Sequence, residues 1–197
     1  MRMPIDLIFH PMTHRRTSAC FAYFMVISPL FAAPDWENQA VFRINKEEPH
    51  AIKMAFPDAA GALKQPRMES PWCQSLNGMW KFHWVGHPDQ RPVDFFKTAF
   101  DDASWKTIPV PANVELHGYG IPIYTNIIYP FKKDPPRVMG EPVGHWTTNR
   151  DRNPVSSYRR TFDLPADWSG RRTLITFNGV ASAFYLWVNN ARNLLLG

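Results

Sequence analysis

The sequence predicts an all-β sandwich. Aromatic residues and proline are abundant, with 8 Trp, 14 Phe, 6 Tyr and 19 Pro in 197 residues, which suits short strands and long ordered loops better than a helical bundle. Strand-like segments return at a spacing of about a dozen residues, separated by turn chemistry. One of them, Ala183–Val188 (AFYLWV), is apolar on both faces, as a central strand covered on both sides must be. A hydrophobic share of 45% against 20% charged residues is that of a chain that buries a core.

The elements follow in order. Residues 1–33 have the plan of a secretory leader. His14, Arg15 and Arg16 are polar and basic, Ala19–Phe31 is an apolar run, and Ala32-Ala33 offers small residues before Pro34. The run is short for a bilayer span and Pro29 interrupts it. The leader implies a secreted or periplasmic chain with no membrane association beyond it. Residues 34–75 are polar and broken by proline, an extended arm with one helical turn expected near Asp58–Leu63. The remainder, 76–197, carries the strand signals. Asn77-Gly78 is a tight-turn dipeptide. Met79–Val85 then alternates, with Trp80, Phe82 and Trp84 on one face and Lys81 and His83 on the other. Asp101-Asp102 reads as turn chemistry, Trp105 as core and Thr107–Val110 as a short strand. Residues 111–154 form a long stretch rich in Pro, Gly, Asn and aromatics, of the kind that carries function. Strands are expected again at Ser156–Leu164, Arg172–Phe177 and Ala183–Val188. Asn189-Asn190 reads as a hairpin tip whose return strand is barely present, so the sandwich is expected to be incomplete at its C-terminal end.

Net charge is +5, or +3 without the leader, and the basic residues are scattered. Nucleic-acid binding needs a basic face with base-stacking aromatics, and none is expected here. The cysteines are Cys20, in the leader, and Cys73. One remaining thiol closes no internal disulfide, and no zinc spacing is present.

The stretch Pro111–Pro130, PANVELHGYGIPIYTNIIYP, resembles a long string of family 2 glycoside hydrolases of the β-galactosidase type. Ordered matches surround it. They are Glu37-Asn38 with Asn45, Ser75–Phe82 (SLNGMWKF), Tyr158–Phe162 (YRRTF), and Phe177–Val180 with Ser182–Asn189 (FNGV, SAFYLWVN). The likeness covers about residues 36–190. It departs at Asn190, where the family has glycine, and Ala191–Gly197 does not follow the family's next strand. The resemblance implies a jelly-roll-like, galactose-binding-domain-like sandwich at the N-terminal end of a retaining enzyme that hydrolyses terminal β-D-galactosides.

Retention requires two carboxyl groups about 5–5.5 Å apart. The resemblance puts both, as glutamates, on a later barrel domain, so no catalytic residue is expected in 1–197. The acids present do not sit in such a motif, and Asp101-Asp102 are expected to serve a turn. The best substrate-binding candidate is Asn126 in Tyr124-Thr125-Asn126. In the family the matching Asn contacts the sugar from a loop, and an amide offers a hydroxyl both donor and acceptor. Tyr129 and Trp146 could stack on a sugar ring or simply pack. His83 and His87, four apart on a strand, do not make one ligand face. No metal or other cofactor is expected in this segment, although full-length relatives often use Mg and Na ions. The implied partners are a β-galactoside, in a full-length context, and a catalytic barrel. Two other readings stay open: a free-standing carbohydrate-binding module, and a fragment that complements a separate catalytic subunit.

Overall fold

A computed structural model describes residues 2–6, 35, 38, 40–122, 154–181 and 183–196, with backbone alone at 2–6 and 192–196. Among the described residues seven strands are present: β1 (Arg2–Asp6), β2 (Arg43–Ile44), β3 (Gly78–Val85), β4 (Lys106–Val110), β5 (Val155–Asp163), β6 (Ala183–Val188) and β7 (Ala191–Leu196). All pair antiparallel in one sheet of order β2-β7-β6-β1-β5-β3-β4. The all-β class stands. The described strands make one layer, and irregular segments cover its two faces.

The alternating segment becomes β3. Its even residues point to a cluster built on Trp80 and Leu186, packed by Leu76, Val110, Tyr158, Phe162, Ile175, Phe177, Phe184 and Val188. Of its odd residues, Met79 is exposed, but Lys81 and His83 are partly covered. His83 stacks on Trp105 at 5.3 Å and 23°, and Trp105 belongs to the second cluster with Phe95, Tyr185 and Trp187. The strand is half-buried as expected at its start, but segment 91–105 folds back and partly covers the face that carries Lys81 and His83. Strand β6 fits its sequence: Tyr185, Leu186 and Trp187 are consecutive and all buried, which only a strand covered on both faces allows.

Several expectations shift. Arg2–Asp6 lie within the residues assigned to the leader, yet stand inside the sheet between β5 and β6. The 34–75 arm supplies the edge strand β2, paired with β7 at Arg43↔Leu195 and Ile44↔Leu194. Residues 172–177 carry no strand assignment; Ile175 and Phe177 pack onto the sheet as an irregular cover. Asn189 and Asn190, at φ 50° and 68°, form the two-residue hairpin turn, and its return strand spans six residues rather than being nearly absent. The helical turn appears as α1 (Ala59–Lys64), capped by the Asp58 carboxylate, which accepts from the Gly61 N–H at 2.7 Å.

Candidate functional site

The candidate site begins where β4 ends. Residues 114–117 form a 3-10 turn, closed by the Leu116 N–H donating to Asn113 O at 3.1 Å and the Tyr119 N–H donating to Val114 O at 3.2 Å. Gly118 adopts the left-handed conformation at φ 83°, which turns the chain back toward the sheet without the steric cost a side chain would bear. This delivers the Tyr119 ring edge-on to Phe82, at 4.7 Å and 72°. Trp84 lies 6.5 Å from the same ring, and the Lys106 ammonium 5.9 Å from its centroid. Phe82 is itself buried and meets Tyr158 at 4.9 Å. Leu116 and Ile121 flank the turn and remain exposed.

The electrostatics of this base are those of a dry aromatic layer. Burial pushes the Tyr158 phenol up to about 12, against the opposing effect of its hydrogen bond with Ser156, and the nearby Glu115 charge raises it further. Tyr158 is therefore a neutral phenol at physiological pH. His83 is held below its ordinary value by burial. These groups make a mount for the loop. Asn126, the predicted sugar contact, lies outside the described residues, as do Tyr129, Trp146 and His145.

Several of the described acids have structural tasks. Asp101 Oδ1 accepts from the Ala103 N–H at 2.9 Å, and Asp102 O accepts from the Trp105 N–H at 3.0 Å, so the pair does serve a turn. Asp58 caps α1. Glu48 pairs with Arg43 at 2.7 Å, which holds its carboxyl below the usual range, and Glu47 pairs with Arg172. Among the described residues no group of three or more His, Cys, Asp or Glu could hold a metal ion. His87 is used locally, its Nδ1 accepting from the Asp89 N–H at 3.3 Å. Cys73 is a half-buried free thiol.

Two residues of the YRRTF match, Arg159 and Arg160, have large tasks that the motif alone does not state. Arg159 is buried and donates to Phe100 O at 3.0 Å, Lys97 O at 3.3 Å and Asp102 Oδ2 at 2.9 Å, pinning segment 91–105 to β5. Arg160, on the opposite face, donates to Leu76 O at 2.6 Å and Asn77 O at 3.0 Å and lies over the Trp80 ring at 5.8 Å. It also explains Gly78: at φ 133°, a Cβ there would sit 3.2 Å from an Arg160 nitrogen. The available signal was the adjacent arginine pair in a strand, which must send one guanidinium to each face.

Residues 73–194 match the family described as glycosyl hydrolases family 2, sugar binding domain. The chain is 36% identical over 167 residues to a β-galactosidase of Priestia megaterium (strain DSM 319 / IMG 1521), covering 84% of the chain and 16% of that protein. It is 39% identical over 162 residues to a β-galactosidase of Psychromonas ingrahamii, covering 82% and 14%. Against a β-galactosidase of Yersinia pseudotuberculosis the figures are 38% over 170 residues, 86% and 14%. The chain thus spans a small fraction, 14–16%, of the relatives it matches.

Proposed function

The chain belongs to glycosyl hydrolase family 2 as an N-terminal sugar binding domain, and from that premise we infer that it serves an enzyme hydrolysing terminal β-D-galactosides with retention. The observation that carries the reading is the ordered likeness to β-galactosidases across more than four-fifths of the chain. The mounted loop supports it. Tyr119, Gly118 and the 3-10 turn anchor residues 111–122, and the chain runs from there into Tyr124-Thr125-Asn126. In this reading Asn126 hydrogen-bonds sugar hydroxyls in a pocket completed by a catalytic barrel.

The 197-residue chain is inert by itself in this reading, because retention needs two opposed carboxyl groups, which the resemblance places on a later barrel domain, while Asp58, Asp101, Asp102, Glu47 and Glu48 serve a cap, a turn and ion pairs. The test is incubation of the purified chain with a chromogenic β-galactoside. No turnover above background is expected, and measurable turnover would sink the idea. The leader is proposed to direct export, which sequencing of the N-terminus of the secreted product would check. Removal of residues 1–33 would also remove β1 from the sheet.

A further inference from the structure

An asparagine followed by glycine carries latent chemistry. The backbone nitrogen of the glycine can attack the side-chain amide, because no Cβ hinders the approach and the glycine backbone turns freely. The sequence holds two such dipeptides, Asn77-Gly78 and Asn178-Gly179, and the fold treats them differently. Gly78 opens β3 opposite Val110, and Arg160 donates to both Leu76 O and Asn77 O. Its φ is 133°, and an Arg160 nitrogen stands 3.2 Å from where a Cβ would be. The backbone swing that would bring the Asn77 amide to the Gly78 nitrogen therefore requires this end of β3 to open. Asn178 and Gly179 lie in the irregular cover 172–181, and both are exposed. Among the described residues, none of the turn and loop hydrogen bonds between backbone groups falls on 172–181. Gly179 lies outside the left-handed region, and no described atom comes within 4 Å of where its Cβ would stand. The fold thus requires glycine at 78 and does not require it at 179, where the reactive pair is free to turn.

We propose that Asn178-Gly179 is a self-modification site, where the Asn178 amide becomes a carboxylate through a cyclic imide, and that this conversion loosens the cover over the Trp80–Leu186 cluster. The Gly179 nitrogen gives its proton to solvent and bonds to Cγ of Asn178, and the side-chain amide leaves as ammonia. Water then opens the imide. Cleavage of the new Cγ–N bond gives an ordinary aspartate. Cleavage of the original backbone C–N bond routes the chain through Cβ and Cγ, one carbon longer. The sum is one amide and one water converted to one carboxylate and ammonium, and nothing is oxidised or reduced. The longer route matters because of its neighbours. Phe177 meets Phe184 edge-on at 5.0 Å and 62°, Ile175 packs on the same cluster, and β6 begins at Ala183. An added carbon between Phe177 and β6 changes a tether whose two ends are already seated, in a packed layer that tolerates small shifts poorly.

The experiment holds the full chain in mildly alkaline buffer, with and without denaturing urea, and follows both dipeptides by peptide mass spectrometry, reading amide-to-acid conversion and the isoaspartyl product. In the folded chain, conversion at Asn178 is expected to run about tenfold faster than at Asn77, and in urea the two rates are expected to converge. Gly179→Ala, whose Cβ the fold accommodates, is expected to slow conversion at Asn178 about tenfold. Hydrogen exchange reads the consequence. Chain aged to the isoaspartyl form is expected to exchange at Ala183–Val188 about threefold faster than fresh chain. Asn178→Asp, which carries the charge without the added carbon, is expected to leave that exchange unchanged. The site is overturned if Asn77 and Asn178 convert equally fast in the folded chain, or if Gly179→Ala converts as fast as the native chain. The loosening is overturned if aged and fresh chains exchange alike, or if Asn178→Asp speeds exchange as much as aging does.

Discussion

On one face of the sheet Trp80 and Leu186 are met by Leu76, Ile175 and Phe177. On the other, Tyr185 and Trp187 are met by Phe95 and Trp105, with Arg159, Ser157 and His83 among them. The first face is held by apolar contact, with the Arg160 guanidinium at its margin bonding Leu76 O and Asn77 O. The second contains a buried cation whose hydrogen bonds reach back to carbonyls of the segment that covers it. Hydrophobic burial is indifferent to direction, whereas a buried guanidinium requires acceptors at set positions. The polar groups therefore specify how segment 91–105 lies on the sheet, and the aromatics supply most of the energy.

The difference can be broken most forcefully at Phe95, which is fully buried against Trp105 at 5.5 Å and Trp187 at 6.1 Å. Phe95→Ala is expected to cost about 3–5 kcal/mol, read as a lowered urea midpoint. Arg159→Met keeps the volume and removes the donors, leaving Phe100 O, Lys97 O and Asp102 without this partner. A loss of about 2–3 kcal/mol is expected by the same measurement, and a loss near zero would show that the clamp adds no net stability. Ser157 sharpens the comparison in the other direction. Its hydroxyl is fully buried with no hydrogen-bond partner among the described residues, so Ser157→Ala is expected to stabilise by about 1 kcal/mol in thermal unfolding.

The smallest effect is that of pH. His83, stacked on Trp105, binds its proton less readily in the folded chain than in the unfolded one, because burial disfavours the charged ring. The unfolded state therefore takes up more protons as pH falls through the ordinary histidine range, and this contribution to stability is present above about 6.5 and is lost below it. Urea midpoints compared across that range should fall more steeply for the native chain than for His83→Gln. Equal slopes would remove His83 from the account.

Alternation and turn chemistry made much of the architecture legible. Strands β3, β4, β5 and β6, the Asp58-capped turn and the Asn189-Asn190 hairpin all rest on near-neighbour patterns, and each lies within a residue or two of its predicted place. The candidate site was legible through one long string of residues. Of that string the structure describes the anchored base, 111–122, while Asn126 lies outside the described residues. What alternation could not reveal was the cover over the second face. Lys81 and His83 look solvent-facing in sequence, and only the return of segment 91–105, fastened by Arg159, partly covers them.

The sequence by itself determined the all-β class and the order of the main strands, because side-chain period and turn propensity are local properties of a chain. It also determined the family, because a string as long as Pro111–Pro130 is specific whatever its conformation. Tertiary structure alone decided three things. Residues 172–177 became an irregular cover, residues 43–44 an edge strand, and Arg2–Asp6 the occupant of the slot between β5 and β6. Each depends on which distant backbone groups remain to be paired once the other strands have met, and pairing between residues more than a hundred positions apart leaves no mark on either segment alone.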